Sequence, residues 1–325
     1  MESRVAVIIP AYKVKAQVLD VIGRIGPEVA RIYVVDDCCP EGSGDFVEAN
    51  CGDPRVKVVR NPENLGVGGA VMNGYIAAIA DRCDVLVKVD GDGQMDPALI
   101  DGFIEPILSG EADYTKGNRF YDLSGISAMP KLRLFGNAGL SFLAKLSSGY
   151  WDLFDPTNGY TAIHAQVARH LPFGKISKRY FFETDMLFHL NILRAVVVDV
   201  PMHAKYEDEV SNLKISKIFG EFLYKHARNF CRRVFYNYYL RGMSVASLEL
   251  PLGLLLVIVG VGYGGYHWAQ SMRMNVETAA GTVMAAALPV IIGIQMLLAF
   301  VGYDMASVPR RPLHPRARAP LARHR

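Results

Sequence analysis

The N-terminal two thirds of the chain alternates short apolar runs with segments of helical periodicity. The apolar runs, rich in β-branched residues, cover 5–9, 31–35, 56–59, 84–89 and 196–200. The segments with helical character cover 14–25, 43–50, 68–82, 96–109, 136–149 and 181–194. Largely apolar strands separated by helices are typical of a parallel sheet that is covered on both faces. The pattern therefore predicts an α/β domain.

Polar residues follow directly after several of these predicted strands. Asp36 and Asp37 follow the second run, and Asp90 follows the fourth. Open α/β sheets bind ligands at this carboxyl edge of their strands, so we expect the binding site there. Residues 113–135, which are rich in Gly, Ser and Pro, are predicted to form a loop, and 155–160 a turn.

The C-terminal third has a different pattern, with two long uncharged runs at 250–272 and 278–303. Each is longer than the roughly 18 to 20 residues that a helix needs to cross the hydrocarbon core of a bilayer. We therefore expect a transmembrane hairpin with helices at 250–270 and 279–303. A buried helical pair in a soluble domain is the alternative. The first run contains glycines that would let two helices approach closely, namely Gly260, Gly262, Gly264 and Gly265.

The segment before the hairpin interleaves basic and aromatic side chains. Its basic residues are Lys214, Lys217, Lys225, Arg228, Arg232, Arg233 and Arg241. This composition is typical of amphipathic helices that lie in a membrane interface. The alternative is a helix that faces the core and exposes a basic side to water.

Charge predicts how the chain is arranged around the membrane. The net charge is only +3, but the tail after Asp304 has six arginines and no acid. Basic residues thus flank the hairpin on both sides, as they do in cytoplasmic segments of membrane proteins. We expect a folded cytoplasmic domain over 1–212, interfacial helices over 213–246, the hairpin over 247–304 and a disordered basic tail over 305–325, with both termini cytoplasmic.

Composition excludes several classes of protein. Hydrophobic residues make up 51% of the chain and charged residues 21%, so the chain as a whole is not disordered. The five cysteines form no CxxC pair, which argues against a structural zinc site or a disulfide framework. The basic charge is concentrated around the hairpin, whereas nucleic-acid binding needs a basic face on a folded domain.

The sharpest chemical signal is the sequence Asp90-Gly91-Asp92-Gly93-Gln94, directly after a predicted buried strand. Two carboxylates two residues apart can reach one hard divalent cation, which also takes oxygens from substrate phosphates. The alternative is a polar turn at the end of the strand.

Two weaker signals accompany it. The pair Asp36-Asp37 could bind a base or ribose, or could cap a helix. The segment from Asn64 to Gly66 opens a predicted helix, where glycine allows close approach and the helix N-terminus favours anions. A Rossmann fingerprint is excluded because residues 10–12 after the first strand read Pro-Ala-Tyr.

Taken in order, these motifs resemble glycosyltransferase family 2. The residues that carry the resemblance are Pro10-Ala11-Tyr12, Val35-Asp36-Asp37, Asn64-Leu65-Gly66 with Gly68 and Ala70, and Asp90-Gly91-Asp92. Gly117-Asn118-Arg119 and residues 155–160 resemble segments of its dolichyl-phosphate mannosyltransferase group. The resemblance covers about residues 4–303. It implies a GT-A fold, a Rossmann-like and mostly parallel sheet with helices on both faces, followed by the interfacial and transmembrane helices.

The resemblance also implies roles for residues at matching positions. The donor, a nucleotide-diphosphate sugar, would be bound by Pro10, Tyr12, Asp36, Asp37, Asn64, Gly66, Asp90, Gly91 and Asp92. Mg²⁺ or Mn²⁺ would be held by Asp90, Asp92 and Gln94. The acceptor phosphate would be bound by Arg119, Arg133 and Lys205. The catalytic set would be Asp92, Arg119, Arg133, Asp155 and Asp185, with Glu183 close by. Turn formation is the alternative role for Asp155, and helix capping for Asp185.

The function implied is a metal-dependent, inverting transfer of a sugar to a polyprenyl phosphate at the cytoplasmic face of the membrane. A lipid phosphate is mostly dianionic at neutral pH and is already a nucleophile, so the reaction does not require a general base. The partners expected are the sugar donor, the lipid acceptor and the bilayer, without nucleic acid, and chains could associate through the transmembrane helices. Two alternatives stay open: a processive or other membrane polysaccharide synthase, and a non-catalytic membrane-tethered nucleotide-binding protein.

Overall fold

The computed structural model describes residues 3–121, 131–202 and 215–315, without the side chains of 131–135, 137 and 215–219. The chain divides into two compact units. One contains the chain up to residue 230 together with the chain from 309 onward, and the other contains residues 231–308.

The first unit is built on a sheet of seven strands among the described residues. The strands are β1 (Val5–Ala11), β2 (Val29–Asp36), β3 (Val56–Arg60), β4 (Val85–Lys88), β5 (Tyr114–Asn118), β6 (Thr161–His164) and β7 (Val197–Pro201). Their order is β3-β2-β1-β4-β6-β5-β7, and only β6 runs antiparallel to its neighbours. The predicted α/β fold with a mostly parallel sheet is confirmed.

Helices separate most of the strands along the chain. They are α1 (Val18–Gly23), α2 (Ser43–Asn50), α3 (Val67–Ala80), α4 (Ile100–Leu108), α5 (Lys131–Ser148), α6 (Ala165–Ala168), α7 (Phe182–Leu193) and α8 (Ile215–Phe235). The strands β1 and β4 are buried almost throughout, because they lie at the centre of the sheet and pack on both faces.

The strand order places a switch point beside β1. From β1 the chain builds β2 and β3 on one side, and β4 then pairs with the other side of β1. The loops that leave β1 and β4 therefore diverge to opposite sides and open a crevice at the carboxyl ends of these strands.

Two strands were not expected from the sequence. The segment of β5, Tyr-Thr-Lys-Gly-Asn, was predicted as part of a loop, but every one of its residues is buried. Glycine, lysine and asparagine disfavour a strand locally, so the pairing of β5 with β6 and β7 decides its conformation. The four-residue β6 follows the predicted 155–160 turn, and the sequence pattern does not predict this strand either.

The amino edge of the sheet binds a segment from the C-terminal tail. The Asp113 carboxylate, just before β5, accepts hydrogen bonds from the Leu313 N–H at 2.9 Å and the His314 N–H at 3.1 Å. The His314 ring stacks on His164 with centroids 4.2 Å apart, and its Nδ1 lies 2.8 Å from Asp113. The sequence suggested a disordered tail over 305–325, whereas these contacts hold residues 313 and 314 against the sheet.

The second unit contains two long apolar helices, α9 (Ala246–Met274) and α10 (Ala280–Ala306). Both are long and apolar enough to cross a membrane. The helix α9 exceeds the predicted bounds by four residues at each end, whereas α10 starts one residue later and ends three residues later than predicted. Close packing occurs at Gly253, where a Cβ would lie 3.0 Å from the Gly293 carbonyl oxygen. Of the glycines predicted to allow such contact, Gly260 would place a Cβ 2.8 Å from the Ala286 carbonyl oxygen, whereas Gly262 faces open space.

A buried ion pair fastens the end of α10 within this unit. Arg233 donates to both oxygens of Asp304, at 2.6 and 2.8 Å, and the Tyr238 hydroxyl donates to the same carboxylate. Both charged side chains are buried. Arg233, which the sequence suggested as an interfacial cation, is therefore engaged inside the protein.

Candidate active site

The candidate active site is a cavity of about 320 Å³ at the carboxyl ends of β1 and β4. Its lining residues are Pro10, Ala11, Tyr12, Val14, Asp37, Asn64, Gly66, Val67, Ala70, Asp90, Gly91, Asp92, Arg179 and Tyr180. Eight of the nine residues predicted to bind the donor are in this set, and Asp36 is the exception. The fold therefore brings together polar motifs that are up to 80 residues apart in the sequence.

Asp90 and Asp92 lie in the turn after β4. This turn approaches β1 closely, since a Cβ on Gly91 would lie 3.1 Å from the Cγ2 of Ile9. The Gln94 N–H donates a hydrogen bond of 3.0 Å to Asp92 Oδ1 and so orients that carboxylate. Gln94 thus contributes to the turn through its backbone.

A buried lysine lies beneath this turn. Lys88, the last residue of β4, is 1% exposed, and its Nζ lies 2.8 Å from Asp90 Oδ1. The same ammonium donates to the Gly159 carbonyl oxygen at 3.0 Å and lies 3.7 Å from Glu183 Oε1. Burial acts to lower the pKa of Lys88, but the carboxylates of Asp90 and Glu183 outweigh it and raise the pKa, so this lysine is charged.

Asp36 and Asp37 end β2 but have different surroundings. Asp36 accepts hydrogen bonds from the Cys39 N–H at 2.7 Å and from the Gly44 N–H at 2.6 Å. The latter bond satisfies a free amide in the first turn of α2. Both carboxylate oxygens of Asp36 therefore stabilise the chain itself.

Asp37 shapes the loop before α3. Its Oδ1 accepts from Asn61 Nδ2 at 2.7 Å and from the Leu65 N–H at 2.9 Å, while Oδ2 accepts from the Gly66 N–H at 2.7 Å. This carboxylate lines the cavity and at the same time fixes the backbone of the glycine loop beside it.

The glycine loop is covered by a segment that sequence reasoning missed. Gly66 has a φ of +84°, and a Cβ there would lie 2.8 Å from the Lys178 carbonyl oxygen, so a side chain is excluded on two grounds. The Lys178 carbonyl also accepts from the Gly69 N–H at 3.2 Å, and Arg179 Nη2 donates to the Asn64 carbonyl at 3.3 Å. Arg179 therefore adds a cation to the cavity wall, but no local pattern marks it in the sequence.

The predicted turn at 155–160 lies next to the Asp90 turn. A Cβ on Gly159 would lie 2.6 Å from Lys88 Nζ and 3.2 Å from Asp90 Oδ2, so only glycine fits there without displacing them.

At the other end of the turn, Asp155 is buried and accepts from Arg119 Nε at 2.7 Å and Nη2 at 3.2 Å. The predicted catalytic residues Asp155 and Arg119 are thus paired with each other.

The acids on α7 point to different partners. Glu183 lies beside Lys88 and through it is linked to Asp90. Asp185 accepts from the Ser177 N–H at 2.7 Å and from Asn229 Nδ2 at 2.8 Å. Asp185, the acid selected from the sequence, therefore joins α7 to α8 and to the preceding loop, and Glu183 is the one connected to the cavity.

A second buried lysine adjoins this network. Lys116 on β5 donates a hydrogen bond to the Asn158 carbonyl, one residue before Gly159. Burial lowers the pKa of Lys116 to about 8, against the opposing effect of Glu183 and Asp155. Its register partner on β7 is Asp199, and burial raises the pKa of that carboxyl to about 6. Two buried lysines thus bind successive carbonyls of the same turn.

The Asp90 turn offers some of the oxygen ligands that a hard divalent cation needs. Asp90 and Asp92 offer carboxylate oxygens to the cavity, although Asp90 Oδ1 is buried against the Lys88 ammonium at 2.8 Å. In the described part of the chain, no three His, Cys, Asp or Glu side chains converge on a common point. A cation here would need further oxygens from a ligand or water, as is usual for Mg²⁺ beside phosphates.

The structure does not describe the side chains of two predicted acceptor-binding residues, Arg133 and Lys205. Lys205 belongs to 203–214, and the backbone of Arg133 is in α5 but its side chain is not described. Of the three predicted acceptor-binding residues, Arg119 is the one whose side chain is described.

Sequence comparison identifies relatives of this chain. The family model described as Glycosyl transferase family 2 matches residues 6–171, slightly more than half of the chain. The undecaprenyl-phosphate mannosyltransferase of Micrococcus luteus is 31% identical over 217 residues, which cover 66% of this chain and 88% of that protein. The UDP-N-acetylglucosamine–dolichyl-phosphate N-acetylglucosaminyltransferase of Methanococcus voltae is 26% identical, covering 62% of this chain and 85% of that protein.

Structure comparison finds solved structures with a similar fold. The glucosyl-3-phosphoglycerate synthase of Mycobacterium tuberculosis, crystallised with phosphoglyceric acid, has a TM-score of 0.54 at 19% identity and covers 71% of this chain and 80% of its own. The same synthase with Mg²⁺ and UDP has a TM-score of 0.52 at 18% identity, covering 71% and 79%. At these identities the similarity concerns the GT-A fold.

Proposed function

The chain belongs to glycosyltransferase family 2, and from this premise we propose that it transfers a sugar from a nucleotide-diphosphate sugar to a polyprenyl phosphate. One observation carries the proposal. The Asp90–Asp92 turn, the glycine loop at Gly66 and the end of β1 line a single cavity in a chain that also has two helices of membrane-spanning length. The two relatives named above, which act on undecaprenyl phosphate and dolichyl phosphate, support the choice of acceptor.

The donor would lie across the carboxyl ends of β1 and β4. We assign the nucleoside to the side lined by Pro10, Tyr12 and Asn64, and the diphosphate to the Asp90–Asp92 turn. Asp37 would act indirectly, since its oxygens hold the backbone of the glycine loop in place. Arg179, which lines the cavity, would offset part of the charge of the diphosphate.

Asp90 and Asp92 would hold Mg²⁺ or Mn²⁺ together with the diphosphate. When bound, the cation stabilises negative charge on the departing nucleotide. The neighbour crystallised with Mg²⁺ and UDP supports this part of the proposal at the level of the fold.

We assign the acceptor phosphate to Arg119, together with Arg133 and Lys205. The phosphate is the nucleophile in a single displacement that inverts the anomeric carbon, so the residues around it need to position it and offset its charge. Arginine suits this task because its planar guanidinium presents a fixed fork of donors to phosphate oxygens. Asp155 would hold Arg119 in place through the hydrogen bonds at 2.7 and 3.2 Å.

The membrane face is assigned from charge. Basic residues flank the hairpin, while the last turn of α9 and the short connection to α10 contain Arg273 and Glu277 and together are close to neutral. With the catalytic unit in the cytoplasm, a cysteine introduced by Ser271→Cys in a chain without other cysteines should react with an impermeant thiol reagent in intact cells. The Ser307→Cys variant should not react, and the reverse pattern would invert the assignment.

A transfer assay with the purified full chain tests the function. Undecaprenyl phosphate is incubated with labelled GDP-mannose, UDP-N-acetylglucosamine or UDP-glucose in the presence of Mg²⁺, and lipid-extractable label is measured. We expect one of these donors to give a lipid carrying a single sugar, and chelation of the metal to abolish the product. A polymeric product would favour a polysaccharide synthase, and tight nucleotide binding without any transfer would favour a non-catalytic protein.

A further inference from the structure

The Lys88 ammonium is placed against the same carboxylate that we assign to the metal. Its Nζ lies 2.8 Å from Asp90 Oδ1, and that oxygen is buried. The oxygen of Asp90 that a ligand can reach is therefore Oδ2, on the side where a Cβ of Gly159 would lie 3.2 Å away.

The position of this ammonium is determined by three separate segments. It contacts Asp90 in the turn after β4, the carbonyl of Gly159 in the 155–160 turn, and Glu183 on α7. With 1% of Lys88 exposed, the ammonium cannot move into water when another cation approaches. The positive charge is therefore a permanent part of the floor of the site.

A fixed positive charge next to Asp90 lowers the affinity of the protein for a divalent cation when no nucleotide is bound. It takes up one carboxylate oxygen and repels a second cation nearby, and both effects are strong where water is largely excluded. A diphosphate reverses the balance, because its negative charge is attracted to both cations and its oxygens supply the ligands that the described residues lack.

We propose that Lys88 is a positioning residue that makes metal binding depend on the nucleotide: it occupies Asp90 Oδ1, so that a divalent cation binds well only together with a nucleoside diphosphate. This inference rests on the proposed function, since it takes the Asp90–Asp92 turn as the place where metal and diphosphate meet. Its consequence is that the enzyme loads the metal with the donor and releases it with the nucleotide product.

Direct measurement of Mn²⁺ binding tests the inference without any turnover. Free Mn²⁺ is measured by electron paramagnetic resonance during titration of the purified full chain, alone and with saturating UDP or GDP. For the wild type we expect weak binding of Mn²⁺ alone and binding at least about tenfold tighter with one of the nucleotides.

The neutral variant Lys88→Met should bind Mn²⁺ alone about tenfold more tightly than the wild type, because it removes a positive charge beside the ligand oxygen. The enhancement by the nucleotide should shrink by a similar factor, because the diphosphate already offsets the charge of Lys88 when both ligands are bound. By reciprocal linkage, Mn²⁺ should then also enhance nucleotide binding less than in the wild type. Structural damage to the site would weaken Mn²⁺ binding, so the direction of the change separates the two explanations.

Three further variants complete the test. Lys88→Gln is a second neutral variant that keeps an amide donor for the Gly159 carbonyl. It should bind Mn²⁺ alone more tightly than the wild type, and it serves as the test if Lys88→Met folds poorly. Lys88→Arg keeps the charge and should retain the dependence on the nucleotide. The matched control is Lys57→Met, at a lysine whose side chain is 54% exposed and which pairs with Asp81, and it should bind Mn²⁺ as the wild type does.

The outcomes distinguish this inference from the proposed function. If the wild type binds Mn²⁺ and nucleotide cooperatively but both neutral variants match it, or bind Mn²⁺ alone more weakly, the role of Lys88 is refuted and the proposed function stands. If the wild type binds neither UDP nor GDP with Mn²⁺, and also fails in the transfer assay, the proposed function and the inference both fail.

Discussion

The two edges of the sheet use carboxylates in opposite ways. At the carboxyl edge, Asp90 faces a cavity and a buried ammonium, and Asp92 receives the Gln94 N–H from within its own turn. At the amino edge, Asp113 is fully buried and accepts from backbone N–H groups of Val196, Leu313 and His314 and contacts the His314 ring. A carboxylate whose donors all come from the chain stabilises the fold, whereas one that lines a cavity beside a cation is available to a ligand.

Asp36 and Asp37 lie between these extremes. They are adjacent in sequence at the end of one strand, yet Asp36 accepts from backbone N–H groups just before and at the start of α2, while Asp37 bonds to the loop that lines the cavity. Position at a strand end therefore does not distinguish a ligand-binding acid from a structural one. What distinguishes the two is whether the carboxylate and the backbone that it holds line the cavity.

The largest effect should come from Asp92→Asn. The neutral amide removes a charged ligand from the proposed metal and diphosphate site, so we expect turnover to fall by about 10³-fold while the protein still folds. The transfer assay at saturating Mg²⁺ or Mn²⁺ measures the loss, and Asp20→Asn, at an exposed acid on α1, is the control. Turnover near that of the wild type would remove Asp92 from the site.

A smaller but substantial loss should follow Gly159→Ala. The added methyl would lie 2.6 Å from Lys88 Nζ, so the ammonium and Asp90 must shift. A displacement of catalytic groups by a fraction of an ångström should lower kcat by about 10- to 100-fold. Gly174→Ala is the matched control, because a Cβ at Gly174 meets no atom within 4 Å. Equal activity of the two variants would mean that the 155–160 turn is not coupled to the Asp90 turn.

The part of the site that the sequence predicted consists of motifs at the ends of recognisable strands. Asp90 and Asp92 could be found because a polar, glycine-rich turn interrupts an apolar run. Lys88 could not, because a lysine at the end of such a run is equally compatible with a strand end in water. Its burial depends on Gly159 and Glu183, which are 71 and 95 residues away in the sequence.

For a similar reason, the sequence does not show whether Glu183 or Asp185 faces the site. Side chains two positions apart on an α-helix point in directions that differ by about 200°, so these two acids face nearly opposite sides of α7. The resemblance placed an acid at this point of α7, but only the packing of the helix shows that Glu183 faces Lys88 and Asp185 faces Asn229. The contact of Asp113 with His314 spans about 200 residues and leaves no local pattern either.

An intermediate effect is expected from Asp37→Asn. The amide keeps one acceptor oxygen and loses the other, so at least one of the bonds to the Leu65 and Gly66 N–H groups is lost and the glycine loop is less well fixed. Nucleotide affinity should fall by about tenfold, equivalent to one charge-assisted hydrogen bond of about 1.5 kcal/mol. Calorimetry with UDP or GDP and Mg²⁺ measures the change. Asp45→Asn, whose side chain is 76% exposed, is the control, and an affinity unchanged in both would make Asp37 irrelevant to the loop.

Asp113→Asn should have the smallest effect on turnover and a clear effect on stability. Its carboxylate holds the Leu313–His314 segment at the edge opposite to the cavity, and loss of hydrogen bonds to a buried charge costs about 1.5 to 3 kcal/mol. We expect unchanged kcat, a lower melting temperature and faster cleavage by trypsin after Arg310. This exposed residue lies three positions before Leu313, and its backbone becomes free to enter the protease when the segment detaches. Glu111→Gln, at an exposed acid two residues earlier, should change none of these.

The pH dependence of this last variant sharpens the contrast between the two edges. Burial would raise the pKa of Asp113, but the bonds from His314 and from the Val196 and Leu313 N–H groups outweigh it and hold the pKa below the usual value. A carboxyl with a depressed pKa in the folded state contributes stability above its unfolded pKa of about 3.9, and the contribution disappears as the pH falls through the folded value. The difference in melting temperature between wild type and Asp113→Asn should therefore be full at pH 7 and decrease below about pH 4. A difference that stays constant down to pH 3 would mean that the bonds depend on the shape of the side chain and not on its charge, and Asp113 would then no longer exemplify a structural carboxylate.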